Sequence, residues 1–489
     1  MEQRDALFVI NQNIILSEIV ELCRKEFIQS ALLVTTHRIF PTEENSFIKI
    51  ANNIKILAFS DLLSESDMCR CDEIATNRLL IEKNSCCNSN YNHQFMSTCI
   101  NEKNRILYER LLSNYKFNKI FYIPGLGISE SFWKKKGAVL HAPKQHLIIT
   151  NNRKNNVLKI LMPLFNRAKM AISFIKPKTK FLIQSEGKTF VFLSSINRLR
   201  IRPETSAHKI KKRYCRFDKE NIYCMTMHGY DGILANKVGG VLVFVDGYLP
   251  SNYSRSYVDC YGSNDIFVVR TMFDDRWLTA HGKKTMKPPD FIEQEVFAPC
   301  MITSANHVLI ALNHAGDWSA LINRSDTDEL VIAASEMARK LPKIEFRIRI
   351  HPTMNQPEHE GLYSSIRIEQ FVRSVNIPNL DISTHSLPDD LEWADIFLSE
   401  YSQVLLDSLR NGKFGIAVNL TKRRSFMQDY ADLGFFYANS INDAIDVIHY
   451  IVNMTYKSTT EQNIAVNNYN LLLRRWLELK NTSNDPIIL

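Results

Sequence analysis

Apolar runs of strand length, recurring between stretches of helix length, restrict this chain more than any other feature. ALFVI (6–10) reads as a strand, IILSEIVELCRKEF as a helix, and ALLVTTHRI and IKILAF as further strands. A helix around 101–114 leads into the strand KIFYI and then Pro124-Gly125-Leu126-Gly127. HLIIT (146–150) and a helix over about 154–165 continue the alternation. Such a rhythm predicts a mostly parallel sheet wound on both faces, because parallel strands need crossovers and helices supply them. Residues 84–98, rich in Cys and Asn, interrupt it as a loop or insertion.

The middle and the last third extend the pattern. FLIQ and TFVFLSS predict two short strands joined at Glu186-Gly187. VGGVLVFV (238–245) is continuously apolar, as expected of a central parallel strand buried on both faces. Pro288-Pro289 and a change of rhythm suggest an interdomain linker near 280–300. Beyond it, HVLIALN (307–313), FRIRI (346–350), ADIFLSE and GIAVNL alternate with helices over 326–342, SIRIEQFVRSV and SQVLLDSLRNG. Helices over roughly 440–453 and 459–480 close the chain. The domains expected are an N-terminal Rossmann-like domain (1–290), a second over 300–455 and a C-terminal helix with its tail (456–489).

Composition removes several classes of function. The chain has 489 residues, 45% hydrophobic and 23% charged, which excludes wholesale disorder. No apolar run approaches the roughly 18–20 residues that cross a bilayer, and MEQRDALFVINQN lacks the form of a secretory signal, so a cytoplasmic protein is expected. Of ten cysteines, Cys69, Cys71, Cys86, Cys87 and Cys99 cluster near His93, but not at the C-x2-C spacing of zinc sites. Reduced thiols are the expectation, with an adventitious metal site as the alternative. The formal charge of +8 is concentrated between Arg167 and Arg216, where only Glu186 and Glu204 oppose a run of Lys and Arg. That segment is either a solvated face or a surface for phosphates, anionic lipid or acidic polysaccharide. No recognised nucleic-acid motif accompanies it.

In open α/β sheets ligands bind beyond the carboxyl ends of the strands, so the residues delivered there are the candidates. VGGVLVFV delivers Asp246 and Gly247, a carboxylate suited to general-base work or to capping a turn. FRIRI delivers His351-Pro352, an imidazole able to neutralise or protonate a phosphate leaving group if cationic near neutral pH; Arg349 lies on its side of the strand. ADIFLSE delivers Ser399 and Ser402, the latter placed to cap the next helix and to line a phosphate site there. HVLIALN delivers Asp317 and Trp318, candidates for ribose or base contacts or a plain turn. Pro124–Gly127 is a weak phosphate loop, since Glu130 replaces the third glycine of GxGxxG.

An acid-Gly motif, His-Pro and a serine motif, in that order across two domains, resemble the bacterial capsule and lipopolysaccharide glycosyltransferases that use CMP-activated sugars, among them polysialyltransferases and capsule Kdo transferases. VFVDGYLPSNYSRSYVDCYGSND (243–265) carries the resemblance, with Asp259-x-x-Gly262-x-Asn264 as its second element; VLIALNHAGDW and RIHPTM extend it, over about 220–420. The family's first acidic position is Val245 here, which leaves a single carboxylate. The resemblance implies the GT-B architecture, two doubly wound α/β domains facing across a cleft with a C-terminal helix. It further implies Asp246 as general base, His351 assisting the donor phosphate, and Ser399 or Ser402 binding it. The partners implied are a nucleotide-sugar donor and a glycan or lipid-linked glycan acceptor, at the inner face of the plasma membrane, with an anionic membrane surface nearby and no nucleic acid. No cofactor and no essential metal are expected, because Asp274-Asp275 and Asp389-Asp390 read as loop or helix-start residues rather than a DxD site. Two alternatives stand. His228-Gly229 and Asp231-Gly232 are a rival site resembling teichoic-acid glycerophosphotransferases, and the missing acidic residue fits a degenerate, glycan-binding scaffold.

Overall fold

A computed structural model describes residues 1–10, 16–36, 38, 40, 53–82, 91–123, 128–140, 181–185, 188–192, 222–226, 242–245, 258–259, 261–269, 271–286, 296–313, 324–355, 361–400, 402, 404–420 and 433–482. They form three sheets and divide into two compact units. Unit 1 comprises Met1–Met68, Lys103–His141 and Gln294–Glu478; unit 2 comprises Cys69–Glu102, Ala142–Glu293 and Leu479–Leu489. No helix of the described residues is long and apolar enough to cross a membrane.

The first sheet lies in unit 1. Its strands are β1 (Glu2–Ile10), β2 (Ala31–Thr35), β3 (Ile54–Ala58), β4 (Tyr115–Tyr122) and β5 (Val139–Leu140), in the order β3-β2-β1-β4-β5 and all parallel. The chain winds outward from β1 to β3, then returns past β1 to β4, so crossovers occupy both faces. The amphipathic helix α1 (Leu16–Lys25) lays Ile19, Leu22 and Cys23 on Ala6, Phe8, Ile10, Leu33 and Phe121. Helices α2 (Glu65–Glu82) and α3 (Tyr91–Asn114) follow β3, and α4 (Glu130–Lys135) follows β4 with Ser129 as its cap. Helix α3 starts inside the stretch expected to be a loop, because its polar opening, YNHQ, hides the helical period.

Unit 2 holds the second sheet: β6 (Phe181–Ser185), β7 (Lys188–Phe192), β8 (Ile222–Thr226), β9 (Leu242–Phe244), β10 (Ile266–Val268) and β11 (Lys284–Met286). The strands stand side by side in chain order, antiparallel only between β6 and β7. The two short strands expected on either side of Glu186-Gly187 are present and pair antiparallel. Strand β11 falls within the stretch expected to be linker. Helix α5 (Met272–Ala280) opens on a capping box in which Thr271 and Asp274 bond each other's backbone N–H groups.

The third sheet, again in unit 1, contains β12 (His307–Ala311), β13 (Glu345–Arg349), β14 (Leu380–Ile382), β15 (Ile396–Ser399), β16 (Phe414–Val418) and β17 (Phe436–Ala438). Its order, β14-β13-β12-β15-β16-β17, is fully parallel and doubly wound. Crossovers are α6 (Arg324–Lys340), α7 (Gly361–Val375), α8 (Leu387–Trp393) and α9 (Val404–Arg410); α10 (Ile441–Asn453) and the long α11 (Thr455–Thr482) follow β17. Ser386 and Asp389 form a capping box on α8, and Asn379 gives its amide to the carbonyls of Ala338, Leu341 and Ile344 at the end of α6. The expected α/β class, parallel doubly wound sheets and long C-terminal helix are therefore all present. A third sheet is added to them.

Two seams bind unit 1. Phe40, beyond β2, is buried in the core of the third sheet, stacked on Phe371 at 4.3 Å and beneath the Arg367 guanidinium at 4.0 Å. Asp328 accepts from the Arg38 N–H at 3.1 Å while Arg367 donates to the Arg38 carbonyl, so an ion pair grips both sides of one residue's backbone. The second seam runs along α11. Asn463 accepts from the Cys300 N–H (2.6 Å) and donates to its carbonyl (3.0 Å); Asn470 does the same for Phe297 (3.1 and 2.9 Å). Gly412, at φ +64°, passes so close to this strap that a Cβ would lie 2.5 Å from the Pro299 carbonyl oxygen.

Candidate functional site

The doubly wound order of the third sheet has its switch point between β12 and β15, the two strands from which the chain departs in opposite directions. A crevice opens at the carboxyl ends of such a pair, because the loops leaving them diverge to opposite faces. The residues at these ends are polar although the strands are apolar: Asn313 after β12, Ser399 and Glu400 at β15, with His351 after the neighbouring β13. Asn313, Ser399 and Glu400 are all buried.

Their hydrogen bonds form a floor. Ser399 Oγ donates to the Ala311 carbonyl at 2.6 Å and lies 3.5 Å from Asn313 Oδ1. Asn313 Nδ2 points to Glu400 Oε2 at 3.4 Å. One step along the sheet, Arg349 donates to the fully buried Asp390 at 2.6 Å and to the His385 carbonyl at 3.0 Å, and Ser383 Oγ donates to the same carboxylate. Removing two charges from water is compensated only by such well-hydrogen-bonded geometry.

Three readings of the sequence change here. Ser399, expected as a phosphate ligand, is wholly buried and its hydroxyl proton is committed to the Ala311 carbonyl, so it braces the crevice from below. Arg349, expected to add charge for the donor, gives its guanidinium to Asp390 and His385. His351, read as an imidazole that could be cationic near neutral pH, is held neutral there: burial, helped by the nearby Arg349 charge, pushes its pKa down to about 4. Ser402 Oγ accepts from the Val404 N–H at 3.3 Å, at the start of α9.

Asn313 and Glu400 were given no role from the sequence, and Asp390 was read there as a loop or helix-start residue. The signal for the first two was a polar residue closing an apolar strand. Asp246, Asp317, Trp318, His228 and Asp231 lie outside the described residues, as do Pro124–Gly127 and most of 167–216. In the 259–264 element, the Gly262 N–H donates to the buried Asp265 carboxylate at 2.7 Å, while Asp259 and Asn264 are exposed. Asp274 and Asp389 are explained as capping residues.

No family model and no curated protein matches the chain. Among solved structures it is similar to HepE of Anabaena in complex with UDP-glucose, at 8% identity and a TM-score of 0.31 over 97% of this chain and 100% of that one. It is similar to S. aureus MnaA with UDP, at 7% identity and 0.31 over 98% of each chain. A third likeness is to the UDP-GlcNAc 2-epimerase of Neisseria meningitidis bound to UDP-GlcNAc, at 11% identity and 0.24 over 97% of this chain and 100% of that one. These are distant likenesses, and the α/β assignment rests instead on the strand orders and registers of the chain itself.

Proposed function

We propose that the chain is a GT-B glycosyltransferase whose nucleotide-activated donor binds in the crevice between β12 and β15. The single observation that carries this reading is the β14-β13-β12-β15-β16-β17 order, which puts Asn313, Glu400, Ser402 and His351 at the carboxyl edge around one switch point. Donor binding falls to residues 300–455 and acceptor binding to 1–290, with Asp246 as the base that takes the acceptor hydroxyl's proton. A neutral His351 gives a phosphate oxygen an N–H hydrogen bond rather than a full charge. Ser402, Asp317 and Trp318 complete the nucleotide contacts. The motif resemblance favours a CMP-linked sugar and a surface-polysaccharide or lipopolysaccharide acceptor.

A thermal-shift series with CMP, CDP, UDP and GDP tests the donor class, since a ligand that binds only the folded state raises the melting temperature. CMP should stabilise most. Stabilisation by UDP, the nucleotide or nucleotide moiety in the three solved structures above, with none by CMP, would replace the donor and leave the crevice. Absence of stabilisation by all four would remove the crevice as a nucleotide site. Turnover separates base from rival: Asp246→Asn should abolish transfer while His228→Ala only weakens it, and the reverse would favour glycerophosphate transfer.

A further inference from the structure

The first sheet has a switch point of its own, between β1 and β4, and two hydroxyls at that edge have no hydrogen-bond partner among the described residues. In-register pairing sets Val9 beside Val34 and Tyr122, so the three side chains share one face. Thr36, two residues past Val34 and still on the ladder through its N–H to the Ile10 carbonyl (3.3 Å), returns to that face. The opposite face is sealed by α1. Tyr122 is 0% and Thr36 3% exposed, yet neither the Tyr122 Oη nor the Thr36 Oγ1 is bonded among the described residues. Buried polar groups are almost always satisfied in native proteins, because an unmade hydrogen bond away from water is costly.

The crossover that leads into β4 carries a buried cation. Lys103 on α3 is 3% exposed and forms no ion pair among the described residues. Its neighbour Asn104 accepts from Trp133 Nε1 at 2.6 Å and from the Ser129 N–H at 3.3 Å. Those bonds bring this part of α3 beside the chain returning from the carboxyl end of β4.

We infer that this edge is a second ligand site, built for a polyhydroxylated anion: a sugar bearing a phosphate or a carboxylate. Hydroxyls such as those of Thr36 and Tyr122 donate and accept at once, which matches sugar hydroxyls, and a desolvated ammonium calls for an anionic partner. None of these residues is among those assigned to the donor crevice, so the inference stands whether or not a nucleotide binds there.

Calorimetric titration of the full-length protein with glucose 6-phosphate, glucuronate, glucose and inorganic phosphate tests it. One charged sugar should bind about tenfold or more tightly than glucose and inorganic phosphate, a gap of about 1.4 kcal/mol. Tyr122→Phe and Thr36→Val should each weaken that binding about five- to tenfold. Lys103→Met should erase the preference for charge. All three should keep the nucleotide-induced thermal shift of the unaltered protein, so failure here is distinguishable from failure of the donor reading. No preference for a charged sugar, or affinities indifferent to the three substitutions, would overturn the inference. So would a Tyr122→Phe protein that melts several degrees lower with ligand affinity intact, because the hydroxyl would then be serving the fold.

Discussion

The two doubly wound sheets of unit 1 present the same kind of edge in opposite states of completion. At the third sheet, Ser399, Asn313, Glu400, Arg349, Asp390 and Ser383 are joined by hydrogen bonds to one another and to backbone carbonyls. At the first sheet, the Thr36 and Tyr122 hydroxyls are as deeply buried but have no hydrogen-bond partner among the described residues. The same topology thus carries one edge that is organised in advance and one that a ligand would complete. Preorganisation is the device for charge that is bound and transformed; open hydroxyls suit binding alone.

Substitutions should separate the two edges in graded fashion. Asp390→Ala should cost the most, about 3–5 kcal/mol by urea unfolding, because it strands the Arg349 charge beside the sheet; a loss below about 1 kcal/mol would mean that Arg349 finds another partner. Next comes His351. Its pKa is lowered from 6.5 to about 4, so the unfolded chain takes up the proton first as the pH falls. Stability should therefore drop between pH 6.5 and about 4 and level off below. His351→Gln should remove about 3 kcal/mol of that pH dependence, read as the difference between wild-type and variant unfolding at pH 7 and pH 4. Ser399→Ala should cost about 1–2 kcal/mol, since it deletes a made hydrogen bond. The smallest loss sharpens the contrast: Tyr122→Phe, also fully buried, should leave stability unchanged or raise it, because it removes a buried hydroxyl that has no partner to lose. Equal costs for Ser399→Ala and Tyr122→Phe would erase the distinction between the edges.

Much of this was legible in the residues. Long apolar runs such as HVLIALN and ADIFLSE announced both their strands and the polar residues at their ends. The three-residue strands β10, β11, β14 and β17, which no longer apolar run surrounds, were not, because so short a stretch has no readable alternation. Nor does a strand name its sheet. KIFYI and VGGVLVFV look alike, yet β4 and β9 belong to different sheets, since pairing depends on tertiary contacts that hydrophobicity does not encode. At the site, residue type indicated His351 but not its charge, which burial decides. Ser399 was picked as a ligand because its strand-end position suits one; that its hydroxyl turns inward to Ala311 follows from side-chain direction alone.

The strap along α11 works as a ruler. Asn463 and Asn470 are two turns apart, about 10.5 Å at about 1.5 Å per residue, and they grip Phe297 and Cys300, whose three-residue separation spans about 10 Å when extended. The two lengths agree only at this spacing. Adding or deleting one residue at Ala298-Pro299, or within Ile464–Tyr469, would leave at most one amide pair in register, and the helix insertion would also turn one asparagine about 100° away from the strap. Length, more than residue identity, is what this part of the chain has to keep: a conservative substitution can be absorbed here, and a frame of one residue more or less cannot.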